Sequence, residues 1–160
     1  MLTFAQVLKE PDLQDVRALF IEHAEALGIR HNDMDRELAA LPGEYAPPRG
    51  GLILARWGGQ PAGCVGFRQL KGTIAELKRL HVRAAYRGKG IGRALAEEIL
   101  MRARLAGYSR LRVDSLPSIT VAREMYRALG LSQVPSYRFN PGHQTVFVEV
   151  ELGGAPPTAK

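Results

Sequence analysis

The chain has 160 residues, of which 46% are hydrophobic, so it suits one domain with an ordinary core and is not globally disordered. Its formal net charge of +6 at pH 7 favours anionic partners. Phosphorylated ligands, nucleic acid and a merely solvated basic surface all stay open at this point. The one cysteine, Cys64, excludes an internal disulfide framework and favours a cytoplasmic location.

Neither a membrane nor a metal is indicated by the sequence. No apolar run approaches the roughly 20 residues that a membrane-spanning helix needs. The first residues carry no basic region followed by a long apolar stretch, so we expect no secretory signal. The four histidines are scattered without paired spacing, so we expect no metal site.

The first third of the chain predicts one strand and two helices. Apolar side chains recur every three or four residues from Leu13 to Leu27, which predicts a helix that opens at Pro11 and ends at Gly28. A stretch rich in proline and glycine follows and predicts a loop. In chain order these elements are a strand over 2–8, a helix over 11–27, a helix over 34–41 and a loop over 42–51.

The rest of the chain alternates strands with helices. Two apolar runs flank Gly58 and Gly59, which predicts a β-hairpin. Ile91, Leu95 and Ile99 form the apolar stripe of a long helix. The predicted elements are strands over 51–57, 61–70 and 73–82, a helix over 87–105, a strand over 110–116, a helix over 118–129 capped by Ser118, and one or two final strands that include 145–152.

This order predicts one α/β (mixed α+β) domain over residues 1–152. Six to seven strands would form a mixed, twisted sheet with about four helices packed on its two faces. Residues 153–160, GGAPPTAK, have the composition of a frayed, flexible tail.

The segment RGKGIGRAL, residues 87–95, lies between a predicted strand and the long helix. Its glycines allow backbone N–H groups to approach an anion without side chains in the way. The helix start adds unpaired N–H groups and the positive end of the helix dipole. Arg87, Lys89 and Arg93 add positive charge, so the segment predicts a site for a pyrophosphate.

Other phosphate motifs fit this segment less well. A P-loop needs lysine and then serine or threonine after its last glycine, whereas Arg93 and Ala94 follow Gly92. The dinucleotide fingerprint fails at its third glycine in both registers. A tight turn from strand to helix is the plain structural alternative.

Three segments together resemble the GCN5-related N-acetyltransferase (GNAT) superfamily, in particular its small bacterial single-domain type. They are ELKRLHVRAAYRGKGIGRALAEEIL, AGYSRLRVDSL and AREMYRALGL, with further likeness in LPGEYAPPRGGLILA and PSYRFNP. The resemblance covers nearly the whole chain. It implies a mostly antiparallel sheet, acetyl-CoA as co-substrate and transfer of an acetyl group to an amine.

The resemblance also implies which residues bind the co-substrate. The backbone of Leu80, His81 and Val82 would pair with the pantetheine arm, and Arg93 would add a phosphate contact. The pyrophosphate would lie on the loop formed by Arg87, Gly88, Lys89, Gly90, Ile91 and Gly92. The chain departs from many relatives at 83–85, where they carry a proline.

Two catalytic roles follow from the same resemblance. Tyr126 would act as the general acid that protonates the departing thiolate, with a core aromatic residue as the structural alternative. Glu76 would act as the general base, directly or through water. The structural alternative for Glu76 is a surface carboxylate paired with Lys78, because residues two apart share a strand face.

Other candidates near the motif have weaker support. His81 titrates in the right range for a base, but strand alternation places it opposite Leu80 and Val82, and a plain strand histidine is favoured. A backbone N–H around Leu80 and His81 is the best candidate for stabilising the oxyanion. Cys64 is expected to be a buried hairpin cysteine and not a nucleophile.

The acceptor is less defined than the co-substrate. Asp114 and Ser115 end a strand beside the predicted cleft, and four loop residues, Tyr45, Arg49, Tyr137 and Arg138, lie where an acceptor could be enclosed. A small-molecule amine is favoured over a protein N-terminus or lysine. A non-catalytic CoA-binding module is the alternative of another class. We expect no specific nucleic-acid partner, because basic and aromatic residues are not interleaved; a homodimer stays open.

Overall fold

The computed structural model describes residues 1–28, 32–115, 120–134 and 146–153. Seven strands and four helices lie within these ranges. In chain order they are β1 (Leu2–Gln6), α1 (Asp12–Leu27), α2 (Asn32–Ala40), β2 (Gly51–Trp57), β3 (Gln60–Lys71), β4 (Ile74–Val82), α3 (Ile91–Leu105), β5 (Arg110–Ser115), α4 (Thr120–Ala128), β6 (Ser132–Val134) and β7 (Val146–Glu151).

All seven strands form one sheet in the order β1-β2-β3-β4-β5-β7-β6. Every neighbouring pair is antiparallel except β4 and β5, which run parallel. The predicted fold class is therefore confirmed: the sheet is mixed, mostly antiparallel and accompanied by four helices. No helix in the described part of the chain is long and apolar enough to cross a membrane.

Strand alternation divides the core into two clusters, one on each face of the sheet. On β2, Leu52 and Leu54 belong to the cluster under α1 and α2, whereas Ile53 and Ala55 belong to the cluster under α3 and α4. All four side chains are fully buried, as expected for a strand covered on both faces. The sheet is thus a fixed platform between two pairs of helices.

The predicted helix boundaries hold at α1 and fail at α3. Helix α1 follows Pro11 and ends at Gly28, whose φ of 67° lets its N–H bond to the carbonyls of the last turn. Helix α3 starts at Ile91 and not at Arg87, because Gly88 and Gly90 have φ of 81° and 79°, which an α-helix does not allow. The predicted cap Ser118 lies outside the described residues.

Candidate active site

The site begins where two neighbouring strands separate. The parallel pairing of β4 with β5 is limited to Ile74–Glu76 against Arg110–Arg112. Beyond Glu76, the β5 side of β4 has no strand partner within the described ranges, so a cleft opens there. Backbone amides at such an edge can hydrogen-bond an extended ligand that carries amides of its own. Leu80, His81 and Val82 lie along this part of β4.

A β-bulge interrupts β4 within the cleft. Gly66 pairs with Lys78 and Cys64 pairs with His81, so two β4 residues stand opposite the single β3 residue between them. After the bulge, Leu80 and Val82 pack against the α3 cluster. His81 lies on the other face, 3.4 Å from Glu22 of α1 through its Nε2 atom. The alternation predicted for these three residues is therefore present.

The loop after β4 leaves backbone N–H groups open at the start of α3. Gly88 and Gly90 have positive φ, and a Cβ added at either would meet no atom within 4 Å, so both glycines face open space. The first N–H that closes a helical bond in α3 is that of Ala94, to the Gly90 carbonyl, at 3.1 Å. The preceding N–H groups of the helix start have no such bond. The first turn of α3 contains no acidic residue.

Three exposed basic side chains surround this loop. Arg87 Nε donates to the Val82 carbonyl at 3.0 Å, and Arg93 pairs with Glu97 one helical turn away. Lys89 Nζ lies 5.1 Å from the centre of the Trp57 ring, a cation–π contact. Each cation is held by a weak, solvent-exposed contact, so each can turn towards a bound phosphate at little cost. The donor set fits a pyrophosphate.

The contact between Lys89 and Trp57 allows a fluorescence test of the predicted anion site. Trp57 is the single tryptophan of the chain. When CoA is added we expect Lys89 to leave the ring for the phosphates, so Trp57 emission should change with a saturable dependence on CoA. A Lys89→Met variant should lose most of that change and bind CoA about tenfold more weakly, because one charge-assisted contact is gone. Titration by fluorescence and by calorimetry measures both; an unchanged CoA affinity would place Lys89 outside the site.

Helix α4 closes the site from the other side. A Cβ added at Gly92 would lie 3.6 Å from Val82 Cγ2 and 4.0 Å from Met125 Sδ. The glycine loop, the end of β4 and helix α4 therefore meet at one place. Tyr126 follows Met125, is only 5% exposed, and packs in the cluster under α3.

Tyr126 remains a neutral phenol in this environment. Burial, and then the carboxylate of Asp114, raise the pKa of Tyr126, so the phenol keeps its proton at neutral pH. Its hydroxyl makes no hydrogen bond to any described residue. The predicted core position and the predicted acid role are compatible here, because the ring is buried while the hydroxyl has no partner among those residues.

Glu76 is fully buried at the point where β4 and β5 separate. The Arg68 guanidinium lies 3.4 Å from Glu76 Oε1, and Lys78 Nζ lies 4.0 Å from Asp114 Oδ1. The alternative of a surface carboxylate paired with Lys78 is therefore wrong, because Glu76 is inaccessible to solvent and the lysine approaches Asp114. Burial lowers the pKa of Lys78, and Asp114 opposes this shift.

Cys64 matches the expectation of a buried hairpin cysteine. Its side chain is fully buried on β3 under α1. Burial raises the pKa of the Cys64 thiol, so it stays protonated and is a poor nucleophile. Its Sγ donates to the Arg79 carbonyl at 3.5 Å.

Of the predicted acceptor residues, the two loop residues that the structure describes, Tyr45 and Arg49, do not lie together. Tyr45 and Arg68 line one cavity of about 410 Å³ between α2 and β3, which also includes Arg36. Arg49 lies in a separate shallow depression beside Gln69, to which it donates a hydrogen bond of 3.0 Å. Tyr137 and Arg138 lie outside the described residues. Backbone pairing places Ser115 opposite Val146 at the end of β5.

Sequence reasoning missed several side chains that the fold brings into contact with residues of β4. They are Glu37, Arg68 and His23, from α2, β3 and α1. Glu37 and Arg79 are 42 positions apart in the chain, and Arg68 reaches Glu76 only through the register of β3 and β4.

Comparison with known proteins agrees with this geometry. Residues 14–131 match the family model described as Acetyltransferase (GNAT) family. An uncharacterized N-acetyltransferase of Schizosaccharomyces pombe is 30% identical over 94% of this chain and 95% of its own length. The IAA acetyltransferase of Azospirillum brasilense is 30% identical over 91% of this chain and 97% of its own length. The yncA structure from Salmonella typhimurium, solved with its cofactor acetyl-CoA, superposes with a TM-score of 0.77 at 19% identity, covering 99% of both chains.

The glycine loop ahead of α3, the open edge of β4 and the seven-stranded sheet together define a CoA-dependent acyltransferase. The chain belongs to the GNAT family of acetyltransferases. Its activity is accordingly acetyl-CoA-dependent N-acetyl transfer.

Proposed function

We propose that the acceptor is the primary amine of a small molecule, and that it attacks acetyl-CoA directly in a ternary complex. The observation that carries this proposal is the meeting of the glycine loop, the end of β4 and the Tyr126 helix beside one cleft. A binding site for the co-substrate and a proton donor then lie on the same cleft, as direct transfer requires.

The co-substrate is held by three parts of the chain. The loop from Arg87 to Gly92 binds the pyrophosphate through backbone N–H groups and the start of α3, and Arg93 adds a charge. The backbone of Leu80, His81 and Val82 pairs with the amides of the pantetheine arm. The thioester supplies an activated acetyl group, and the protein places that group between β4 and Tyr126.

The transfer needs two proton movements. The neutral amine nitrogen forms a bond to the thioester carbonyl carbon as the bond from that carbon to sulfur breaks. Glu76 takes the proton that the amine loses, directly or through water, and Tyr126 gives its proton to the departing sulfur. Tyr126 regains a proton from solvent through the cleft, and the proton on the buried Glu76 leaves by way of the water that relays it from the amine. His81 is the alternative base, and burial lowers its pKa, so it is neutral at pH 7 and able to accept a proton.

The size of the acceptor is supported by the cavity between α2 and β3. A cavity of about 410 Å³ is in the range of small-ligand sites. Arg68 contributes to its wall and lies 3.4 Å from Glu76 Oε1, so one side chain separates the cavity from the proposed base. The Azospirillum relative, which spans nearly the same length, is named for transfer to IAA.

The co-substrate site is tested by thermal unfolding with CoA. At 100-fold excess over its dissociation constant, a ligand of the native state adds about 2.7 kcal/mol of stability. For a chain of this size that is a rise in Tm of about 5–10 °C. An Arg87→Ala, Arg93→Ala double variant should lose most of this rise. The absence of any rise for the wild type at saturating CoA would contradict the assignment of the loop.

The acceptor is tested with a library of amines, acetyl-CoA and a reagent for free thiols. Thiol release with a small amine, matched by one acetylated product in mass spectrometry, supports the proposal. Release with peptides alone, at the N-terminus or at lysine, would identify a protein acceptor instead. Stable CoA binding without release in any reaction would point to a non-catalytic module.

A further inference from the structure

Arg79 has an unusual backbone conformation at the bulge of β4. Its φ is 63°, and it is the one non-glycine residue with a positive φ among the described residues. A residue with a long side chain is strained in this region, and such strain persists only where surrounding contacts maintain it. Glycine or asparagine would adopt the conformation more easily. The arginine side chain must therefore contribute something that those residues cannot.

The side chain of Arg79 is held by both helices of the first pair. Its Nε and NH2 groups donate to the two carboxylate oxygens of Glu37 on α2, at 3.1 and 2.7 Å. The Tyr45 hydroxyl donates to the same carboxylate at 3.0 Å, and the guanidinium lies 5.7 Å from the centre of the Phe20 ring on α1. Arg79 and Glu37 are only 12% and 22% exposed, so solvent screens this bidentate pair little.

The pair of Arg79 and Glu37 is an ion pair at neutral pH. Burial raises the pKa of Glu37, but the hydrogen bonds and charge of Arg79 outweigh burial and leave that pKa lowered. Glu37 is therefore ionised at neutral pH and keeps both of its oxygens available to the guanidinium. The bulge is tied to α2 by two parallel hydrogen bonds, which fix direction as well as distance.

The peptide that follows Arg79 is also oriented. The Cys64 thiol donates to the Arg79 carbonyl at 3.5 Å, so this carbonyl points towards β3. In a trans peptide the C=O and N–H groups point in opposite directions. The Leu80 N–H therefore points away from β3, to the side of β4 on which the cleft opens.

We propose that the pair formed by Arg79 and Glu37 is a positioning device, which holds the β4 bulge so that the Leu80 N–H faces the thioester carbonyl oxygen. This inference rests on the proposed direct transfer in the cleft. Arg79 itself does not touch the reacting atoms; it acts through the Leu80 N–H. Loss of one oxyanion donor typically lowers kcat by about 10²–10³-fold, so misalignment of this donor should lower kcat strongly.

Two substitutions separate the guanidinium from the backbone strain. Arg79→Gly accepts a φ of 63° without strain but removes the pair, so the bulge can stay where it is without being held. We expect kcat to fall about 30- to 100-fold, with KM for acetyl-CoA changed less than threefold. Glu37→Gln leaves the backbone of β4 untouched and weakens the pair, and we expect a loss of about tenfold. The double variant should be no worse than Arg79→Gly alone, because both changes remove one interaction.

A matched control removes a similar pair elsewhere on the sheet. Arg56 on β2 contacts Asp12 and Asp15 of α1 at 2.8 and 3.1 Å, away from the bulge. Arg56→Gln loses a sheet-to-helix ion pair of the same kind, so we expect its kcat to stay within twofold of the wild type. A kcat loss of equal size in Arg56→Gln would mean that any loss of packing to α1 or α2 slows the reaction, which would overturn the positioning role.

The deciding measurement is the infrared band of bound acetyl-CoA labelled with ¹³C at the thioester carbonyl. In the wild type, hydrogen bonding from the Leu80 N–H should move the band to lower frequency than in solution. In Arg79→Gly and Glu37→Gln it should return towards the solution value. Unchanged kcat in both variants, or lower kcat with an unmoved band, would overturn the inference. If the wild type itself binds no acetyl-CoA, the proposed function fails first, and calorimetry distinguishes that case.

Discussion

Tyr126→Phe is expected to lower kcat by about 10²–10⁴-fold while KM for acetyl-CoA stays within about twofold. The variant loses only the hydroxyl, so the ring still fills its place in the cluster under α3. Without the Tyr126 hydroxyl, no proton is donated to the CoA sulfur as its bond to the carbonyl carbon breaks in the transition state. An interaction of that kind lowers kcat and kcat/KM together and leaves ground-state binding unchanged. Steady-state kinetics and CoA calorimetry measure the two quantities.

The pH dependence gives a second readout of the same residue. Because burial and Asp114 raise the pKa of Tyr126, its proton is retained well above neutral pH. Ionisation of Tyr126 should therefore cause no fall in kcat between pH 7 and 10. A fall in that range for the wild type that disappears in Tyr126→Phe would contradict the raised pKa.

Tyr108→Phe is the matched control for this experiment. Tyr108 is also buried in the cluster under α3, and its hydroxyl donates to the Arg49 carbonyl at 2.6 Å. Its loss should cost about 1 kcal/mol of stability and leave kcat within twofold. If Tyr126→Phe has the same kcat as the wild type, Tyr126 is not the general acid. If the variant loses only CoA affinity, Tyr126 is a binding residue.

The glycine loop could be predicted from the sequence because its chemistry is local. Positive φ at Gly88 and Gly90, the helix start and the neighbouring cations are all encoded within nine consecutive residues. The same local information also contradicts a helix from Arg87, because two glycines precede the first residue of the apolar stripe, Ile91. Glycines interrupt helices, so Gly88 and Gly90 indicate that the helix starts after them, at Ile91.

The bulge and the interior of the cleft could not be predicted in this way. A bulge depends on the register of β3 against β4, and a single sequence does not contain that register. The partner of Arg79 lies on α2, 42 positions earlier, and the partner of Glu76 lies on β3. Period-two alternation correctly placed Glu76 and Lys78 on one face, but it could not say that Glu76 is covered. Burial of a charged residue is decided by what packs over the strand, which is a property of the whole fold.

Acid is expected to destabilise this protein through His23 well before its carboxylates are titrated. His23 on α1 packs edge-on against His81, with 5.4 Å between the ring centres. Burial first, and then the charges of His81, Arg79 and Lys78, lower the pKa of His23 from 6.5 to about 4. As the pH falls, His23 is therefore protonated near pH 6.5 in the unfolded chain but only near pH 4 in the folded chain. Stability falls with pH across that window, because the unfolded state binds more protons there.

The size of the effect follows from linkage. For a pKa of 6.5 in the unfolded chain and about 4 in the folded one, the free energy of unfolding drops by about 2 kcal/mol between pH 7 and pH 4.5. His81 adds to the same trend, because burial lowers its pKa, although Glu22 opposes that shift. His23→Gln should remove the part of this pH-dependent loss of stability that His23 causes, and it keeps a polar side chain at the position. We expect urea unfolding of this variant to lose about 2 kcal/mol less than the wild type over the same pH range.

The comparison is made within each protein, between the two pH values, so any loss of packing in His23→Gln cancels. Glu22→Gln is the companion variant. The Glu22 carboxylate accepts hydrogen bonds from Arg83 at 2.8–3.1 Å and lies 3.4 Å from His81 Nε2. Without that carboxylate His81 should titrate still lower, so acid should destabilise Glu22→Gln more steeply than the wild type above pH 5. Parallel stability curves for wild type and His23→Gln would show that His23 has the same pKa in the folded and the unfolded chain, which would contradict the lowered pKa.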